Sequence, residues 1–209
     1  MYWPRRFYLA LFSVLAGASL LWVQQTRGYS PRHPAMAAVQ LVNYGDVDRD
    51  LLADIARETG QAFGLPCRVS SSSASLPPTG YEAQRGQYEA DMLRSQLSAS
   101  VGDSGAWVVG VTEADLYASG LNFVFGEAAV PGQVAVMSLA RLRPQTPGRD
   151  MDRGLLLERA TKVAIHELGH LMGLGHCANE TCVMWFANSA GELDRSGREF
   201  CRSCGRKLR

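Results

Sequence analysis

The sequence predicts an α/β (α+β) domain, in which short apolar strands are mixed with amphipathic helices. Three valine-containing runs of strand length occur along the chain, at 38–43, 107–112 and 134–139. Between them lie segments whose apolar residues recur every three or four positions, as on a helix packed against a core. A long segment at about 152–172 has the same character and includes two of the four histidines.

The domain is predicted to begin with a strand, a helix and a second strand. Residues 38–43 alternate in polarity, which is typical of a half-buried strand. Side chains suited to a buried face then recur every four residues, at Leu51, Ile55, Thr59 and Phe63. This period predicts a helix, which Gly64 is placed to end. Three aspartates are interpreted as capping the positive end of this helix: Asp46, Asp48 and Asp50.

The middle of the chain is predicted to alternate between strands, loops and one more helix. Residues 67–70 favour a short strand, and the serine- and proline-rich run 71–80 favours a loop. Residues 87–98 predict a second helix with Tyr88, Met92 and Leu93 on one side. Strands are predicted at 107–112, 121–125 and 134–139. A proline-containing stretch then precedes the long helix at about 152–172.

The most informative segment begins at His166 and reads His-Glu-Leu-Gly-His-Leu-Met-Gly-Leu-Gly-His-Cys. On a helix, His166 and His170 project from one face, at the separation that lets two imidazoles hold one zinc ion. Gly173 can end that helix and turn the chain, so that His176 approaches the same ion. Three protein ligands leave a tetrahedral ion one open position, as in catalytic zinc sites. Glu167 is placed to act as a general base.

Two other interpretations of the histidine motif are weighed against this one. The histidines could cluster by chance on an ordinary core helix, but the full HExxHxxGxxH spacing is far more specific than HExxH alone. The domain could also bind zinc without using it for catalysis, because a motif predicts geometry and not activity.

Four of the five cysteines lie near the C-terminus, at Cys177, Cys182, Cys201 and Cys204. The last two form a CxxC pair, whose spacing lets one turn present two thiolates to an ion. Four thiolates make a closed tetrahedral site, which is structural. We therefore predict a four-cysteine zinc knot and two zinc ions per chain. Two disulfides are the alternative in an exported protein, and Cys67 is interpreted as a buried small hydrophobe.

These motifs resemble those of the archaemetzincin family of zinc metallopeptidases. The family's pattern HExxHxxGxxHC, followed by CxM and then CxxC, matches the run from His166 to Cys204. Other stretches are similar to the family as well, at 42–48, 110–117, 121–126 and 138–143. The resemblance therefore covers about residues 38–204.

The resemblance implies a compact metzincin-like catalytic domain with a mixed sheet, an active-site helix and a C-terminal four-cysteine zinc knot. It implies a catalytic zinc held by His166, His170 and His176, with Glu167 as the general base. It also implies Met184 as the methionine under the site. The structural zinc is implied to bind the four cysteines Cys177, Cys182, Cys201 and Cys204. Trp185 and Phe186 follow the methionine, so no tyrosine stands directly after it to hold an oxyanion.

A substrate-binding strand is also implied by the resemblance. In metzincins an edge strand lines the cleft and pairs with an extended substrate, and residues 122–125, beginning at Asn122, are the candidate here. The alternative is that Phe123 and Phe125 pack in the core or on one face of the sheet.

The predicted function is that of a zinc-dependent metallopeptidase, in which zinc-activated water attacks a peptide bond with Glu167 as general base. The expected partner is a peptide or protein substrate. The alternative is a zinc-stabilised peptide-binding protein with little or no peptidase activity, although such a protein has no need of Glu167 or of an open zinc position. The net charge of +1 gives no electrostatic signature of a nucleic-acid binder.

The N-terminus is predicted to be separate from the domain, with residues 1–35 as an apolar signal or anchor segment and linker, and 36–209 as the peptidase domain. Two arginines precede the uncharged run 7–23, whose length reaches the lower limit for a membrane span. Its basic start and small residues at 16–18 also fit a cleaved signal peptide. We therefore expect a membrane-anchored or exported protein. Alternatively, translation starts at Met36 and the product is cytoplasmic.

Overall fold

The computed structural model describes residues 38–102, 105–130, 132–143 and 152–208. The predicted signal or anchor run at 7–23 and the alternative start at Met36 both lie outside these residues. In the described part of the chain, every helix is too short or too polar to cross a lipid bilayer.

The described residues form eight strands and five helices. In chain order the strands are β1 (Ala38–Asn43), β2 (Cys67–Val69), β3 (Tyr81–Glu82), β4 (Gln87–Glu89), β5 (Ala106–Thr112), β6 (Leu116–Tyr117), β7 (Gly126–Ala128) and β8 (Val134–Ser138). The helices are α1 (Arg49–Phe63), α2 (Ala90–Val101), α3 (Arg153–Leu171), α4 (Ala190–Arg195) and α5 (Arg202–Lys207). This mixture confirms the predicted α/β class.

The main sheet is mixed, with strand order β2-β1-β5-β8-β7. The first four strands are parallel, and the edge strand β7 runs antiparallel to β8. A smaller sheet has the order β3-β4-β6, with β3 antiparallel and β6 parallel to β4. The predicted strands at 38–43, 67–70, 107–112 and 134–139 are confirmed within a residue or two.

Helices cover both faces of the main sheet, as buried parallel strands require. Alternate residues of β5 point to opposite sides, so that Val109 contacts the core under α1 and α3 whereas Val108 contacts the smaller core under α2. In β8, Met137 and Val136 divide between the two cores in the same way. The sheet is therefore the layer between two apolar cores.

Helix α1 forms as its sequence predicts. The carboxylate of Asp48 accepts a hydrogen bond of 2.8 Å from the backbone N–H of Leu51, which caps the start of the helix. Leu52 and Ile55 are fully buried against the sheet. Gly64, in the left-handed conformation, ends the helix. Of the three aspartates predicted as caps, Asp48 occupies the capping position.

The predicted helix at 87–98 is wrong at its start. Residues 87–89 form strand β4, and the helix begins at Ala90. Tyr88 pairs with Tyr81 on one side and with Leu116 on the other. The apolar period that included Tyr88 and Met92 suits a helix locally, but pairing with two distant strands takes these residues into a sheet. Met92 is exposed rather than buried.

The predicted strand at 121–125 is also wrong. Only Val124 forms a bridge there, with Leu116, and the regular strand β7 starts one residue after the predicted one ends. The backbone carbonyl of Asn122 accepts hydrogen bonds from the side chains of Arg85, at 2.9 Å, and Gln87, at 3.1 Å. These side-chain donors replace the backbone donors that a neighbouring strand would supply.

The long helix is confirmed as α3. Asp152 caps it by accepting a hydrogen bond of 3.0 Å from the backbone N–H of Leu155. Leu156, Ala160 and Ala164 lie along the face that packs in the larger core. Because buried residues occur all round this helix, its direction is fixed by contacts on several sides. The residues at its C-terminal end are correspondingly fixed in space.

Candidate metal centre and active site

His166 and His170 lie one turn apart near the end of α3, as predicted. Their Nε2 atoms approach to 3.0 Å, and their ring centroids are 4.6 Å apart. Both residues are half-buried, since the helix packs in the core. Two nitrogens that face each other this closely form a possible metal site.

Backbone carbonyls determine which nitrogen of each ring carries the proton. The Nδ1 atom of His166 lies 2.7 Å from the carbonyl oxygen of Val183, and that of His170 lies 2.7 Å from the carbonyl oxygen of Leu174. A carbonyl oxygen only accepts, so each Nδ1 donates and each Nε2 is left with a free lone pair. The two lone pairs face one another across 3.0 Å.

The third histidine reaches the site through the turn at Gly173. The backbone N–H of Gly173 donates to His170 at 2.8 Å, and that of Leu174 donates to Gly169 at 2.9 Å. This pair of hydrogen bonds is a Schellman motif, which needs a left-handed residue after the cap. Gly173 supplies it with φ 88°. The turn carries His176 back to the helix, as the sequence predicts.

The three histidines fit a tetrahedral metal ion with one open position. Their ring centroids are 4.6 to 5.3 Å apart, and one ligand atom from each lies within 4.8 Å of the others. Facing lone pairs repel unless a cation lies between them, so the arrangement is itself evidence for a cation site. Neutral imidazole is a ligand that zinc prefers.

Partial removal from water favours the neutral form of the three imidazoles, which is the form that metal binding requires. It lowers the pKa of His166 to about 3 and that of His176 to about 4, with smaller contributions from neighbouring histidines. Burial lowers the pKa of His170 as well, against the opposing effect of its hydrogen bond to Leu174. The ligand set is therefore deprotonated at neutral pH without any rearrangement.

Glu167 is the buried carboxylate beside the histidines, with 4% of its surface exposed. Its Oε2 atom has no hydrogen-bond partner among the described residues. The other oxygen lies against Gly126 of the edge strand β7, where an added Cβ would come within 2.5 Å of Oε1. Glycine at position 126 therefore leaves the space that this carboxylate occupies.

In the absence of a nearby cation, the electrostatic surroundings of Glu167 favour its protonated form. Burial raises the pKa of Glu167 to about 8, and the negative charge of Glu127 adds to the effect. Glu127 is held on the edge strand by Arg94 of α2, with Nε and Oε1 3.2 Å apart. A divalent cation at the histidines would favour the ionised carboxylate.

Met184 lies under the site, as the family resemblance implies. Its side chain is fully buried and packs so closely on the active-site helix that a Cβ at Gly169 would overlap its sulfur atom. The carbonyl oxygen of Met184 accepts a hydrogen bond of 2.8 Å from the backbone N–H of Cys177. The methionine is therefore tied to the residue next to the third histidine.

The four C-terminal cysteines form a second cluster, in which all four sulfur atoms lie within 4.8 Å of one another: Cys177, Cys182, Cys201 and Cys204. The sulfur atoms of Cys177 and Cys201 are 3.8 Å apart. A backbone hydrogen bond from Cys204 lowers the pKa of Cys201 to about 6, and other cysteines add smaller effects. All are free thiols in this structure, and their mutual proximity fits one ion better than two disulfides.

Cys67 belongs to neither cluster. It is partly buried beside the larger apolar core, and burial raises its pKa to about 12. A thiol with so high a pKa is unreactive at neutral pH, which agrees with the interpretation of Cys67 as a small hydrophobe.

Among the residues that the structure describes, no strand pairs with the outer edge of β7, which lies next to Glu167. The residues on either side of β7 are hydrogen-bonded to residues of β8. The backbone N–H of Ser138 donates to the carbonyl of Phe125 at 2.8 Å, and that of Ala129 donates to the carbonyl of Val134 at 3.4 Å. In an antiparallel pair, every second residue of a strand directs its backbone N–H and C=O groups towards the partner strand. The backbone groups of the intervening residues Gly126 and Ala128 therefore point away from β8. The carbonyl of Asn122, by contrast, is already hydrogen-bonded within the chain.

Several site features are not part of the sequence prediction. The carbonyl groups of Val183 and Leu174 leave no trace in the sequence, because a backbone acceptor is present at every residue. Gly126 could be found, since a glycine inside a strand often marks a close approach. The contact of this glycine with Glu167 could not be predicted, because the two residues are 41 positions apart in the sequence.

The comparisons with known proteins agree with this geometry. The model of "Peptidase family M54" matches residues 64–209. Archaemetzincin from Methanocaldococcus jannaschii is 42% identical over 164 residues, which cover 78% of this chain and 88% of that protein. Archaemetzincin from Methanopyrus kandleri is 47% identical over 137 residues, 66% of this chain and 74% of that protein.

Solved structures show the same similarity. The crystal structure of archaemetzincin from Methanopyrus kandleri matches with a TM-score of 0.73 and 38% identity, covering 86% of this chain and 97% of that one. The archaemetzincin structure from Archaeoglobus fulgidus, complexed with malonate, matches with a TM-score of 0.71 and 34% identity, covering 81% and 99%.

Proposed function

The chain belongs to peptidase family M54, the archaemetzincins, and is a zinc metallopeptidase; we propose that Glu167 is the general base with which it hydrolyses peptide bonds. The proposal is carried by the buried Oε2 atom of Glu167, which has no hydrogen-bond partner in the part of the chain that the structure describes. A buried polar atom without a partner costs free energy, and here that atom belongs to the residue beside the first histidine. An attacking water is the partner that it lacks.

Different residues of the chain have different roles in the proposed hydrolysis. His166, His170 and His176 would hold the zinc, the first two through their Nε2 lone pairs. Zinc bound there supplies a Lewis acid that polarises the scissile carbonyl and acidifies the attacking water. Glu167 takes the proton of that water on its carboxylate and passes it to the leaving amine.

The free edge of β7 is the proposed binding site for the substrate backbone. An extended peptide would pair with the outward backbone groups of Gly126 and Ala128, which brings it past Glu167. The role predicted for Asn122 remains a prediction, and it is limited to the side chain, because the Asn122 carbonyl is hydrogen-bonded to Arg85 and Gln87.

A second zinc ion is proposed for the cluster of Cys177, Cys182, Cys201 and Cys204. Four converging thiolates close the coordination shell, so this ion has a structural role. Two zinc ions per chain are therefore expected, one catalytic and one structural.

The cellular location is proposed from the N-terminal sequence alone. The apolar run 7–23 favours a membrane-anchored or exported enzyme, whereas a start at Met36 would give a cytoplasmic one. Comparing the mass of the purified native protein with the full sequence distinguishes an anchor, a cleaved signal and an internal start.

Replacing Glu167 by glutamine tests the general base. Glu167→Gln keeps the shape of the side chain but cannot accept the proton, so we expect kcat to fall by about a thousandfold or more. Zinc content and the melting temperature should stay near those of the wild type. Peptide cleavage by mass spectrometry and zinc per chain by elemental analysis are measured on the same samples. The exposed Glu180→Gln is the control and should remain active.

Two results would contradict the assignment of Glu167. Undiminished cleavage by Glu167→Gln would show that another group takes the proton. If neither the wild type nor the variant cleaves any peptide while both hold zinc and bind peptides, the chain is the zinc-stabilised peptide-binding protein considered as the alternative.

Replacing Gly126 by alanine tests the packing of β7 against the general base. In Gly126→Ala the new methyl group takes the space of the Glu167 carboxylate, so Glu167 must move. A displacement of about 1 Å costs on the order of a hundredfold in rate, and we expect kcat to fall by that amount while zinc content is unchanged. In Gly191→Ala the methyl group meets open space, and full activity is expected. Equal activity of the two variants would refute the close contact.

Replacing Cys204 by serine tests the structural zinc. The wild type should contain two zinc ions per chain and Cys204→Ser only one. We expect the melting temperature to fall by about 10 °C or more, because structural zinc contributes directly to folding free energy. Cys67→Ser is the matched control and should keep both ions. One zinc ion in the wild type, or equal zinc loss in the two variants, would count against the second site.

A further inference from the structure

Strand β7 is a short strand at the edge of the main sheet. It has three residues, Gly126–Ala128, and in the part of the chain that the structure describes its backbone pairs with β8 alone. A short edge strand opens more readily than a central one, because few hydrogen bonds hold it. Contacts made by its side chains therefore matter for keeping β7 in place.

These contacts are made on both faces of β7. Side chains along a strand point alternately to its two faces. Position 126 faces Glu167 of α3, so Glu127 points to the opposite face, on which α2 packs. There the guanidinium Nε of Arg94, in α2, lies 3.2 Å from Oε1 of Glu127. The strand is thus in contact with one helix on each face.

Arg94 is presented to β7 from a firm support. Its neighbour Leu93 and the residue one turn later, Leu97, are buried in the core beneath α2. A second hydrogen bond joins the Arg94 guanidinium to the carboxylate of Asp91, one turn earlier on the same helix. The side chain of Arg94 is only 20% exposed. Its guanidinium is therefore oriented before it meets Glu127.

Glu127 depends on this guanidinium because its carboxylate is partly removed from water. Its side chain is 24% exposed. Burial raises the pKa of Glu127, and the hydrogen bond and positive charge of Arg94 oppose that rise. A charge-assisted hydrogen bond of this kind is stronger than a neutral one. Without Arg94 the carboxylate would reach a lower free energy by moving towards water, and it would draw the backbone of β7 with it.

We propose that Arg94 is a positioning residue of the peptidase, which holds β7 through Glu127 so that the outer edge of the strand is ready to pair with a substrate backbone. This inference rests on the proposed function, in which that edge binds the substrate. An edge that is already ordered loses little conformational freedom on binding, whereas a loose one must be ordered by the substrate. Loss of the ion pair should therefore affect KM more than kcat.

Replacing Arg94 tests the inference through this division between the two kinetic constants. For an extended peptide that the wild type cleaves, we expect Arg94→Ala to raise KM about tenfold and to lower kcat less than about threefold. Arg94→Lys keeps the charge and an N–H donor and should retain most of the affinity. Arg57→Ala is the matched control. It removes an arginine that likewise pairs with an aspartate one turn earlier, Asp54, but lies on α1, and it should leave both constants unchanged.

A double-mutant cycle shows whether Arg94 acts through Glu127. Glu127→Gln alone should raise KM about as much as Arg94→Ala, and the double variant should lose no more than the larger single loss, because both changes remove one contact. Zinc per chain should be the same in all variants. Fully additive losses would show that Arg94 acts through another group and would overturn the proposal. An unchanged KM in Arg94→Ala would also overturn it.

Amide hydrogen exchange gives a second readout that does not depend on turnover. The backbone N–H of Glu127 points towards its partner Val136 in β8, so it exchanges when β7 opens. We expect exchange at 125–129 to become about tenfold faster in Arg94→Ala and to stay unchanged in Arg57→Ala. Unchanged exchange in Arg94→Ala would refute the hold on β7. A wild type that cleaved no peptide would overturn the proposed function instead, and faster exchange in Arg94→Ala would still support that hold.

Discussion

The two hydrogen bonds from histidine Nδ1 atoms to backbone carbonyls are the constraint on which the rest of the site depends. They leave both Nε2 lone pairs pointing into one small space, 3.0 Å apart. Each acceptor is present for a structural reason. The carbonyl of Leu174 lies under His170 because Gly173 reverses the chain, and that of Val183 lies under His166 because the flanking cysteine and methionine are buried there. Tautomer and ring orientation thus follow from the backbone path.

The histidine cluster and the cysteine cluster are directly connected along the backbone. His176 and Cys177 are neighbours, and the Cys177 N–H donates to Met184. The cysteine cluster is therefore adjacent in the chain to a candidate histidine ligand and hydrogen-bonded to the methionine beneath the site. From the other side, the sheet brings Gly126 against Glu167. The proposed general base lies against an edge strand, whereas the candidate ligands are positioned by a helix and by the chain next to the cysteine cluster.

The sequence predicts the clustering of the three histidines well because their spacing is local. His166 and His170 lie one helix turn apart, and the turn at Gly173 brings His176 back to both of them. The errors occur where distant residues decide the structure. Residues 121–125 alternate like a strand, yet side chains more than 30 residues away satisfy their carbonyls. Tyr88 fits a helical period, yet it pairs with Tyr81 and Leu116. The contact of Gly126 with Glu167 has the same long-range origin, so only the glycine itself is a visible signal.

Anomalous X-ray diffraction at the zinc absorption edge, on crystals of the purified protein, tests the central claim most directly. The geometry predicts one peak about 2.0–2.1 Å from one nitrogen of each of the three histidines, Nε2 in His166 and His170, with no fourth protein ligand, and a second peak about 2.3 Å from the four cysteine sulfur atoms. Absence of the first peak would contradict the account. So would coordination through the Nδ1 atom of His166 or His170, or a protein side chain that fills the open position.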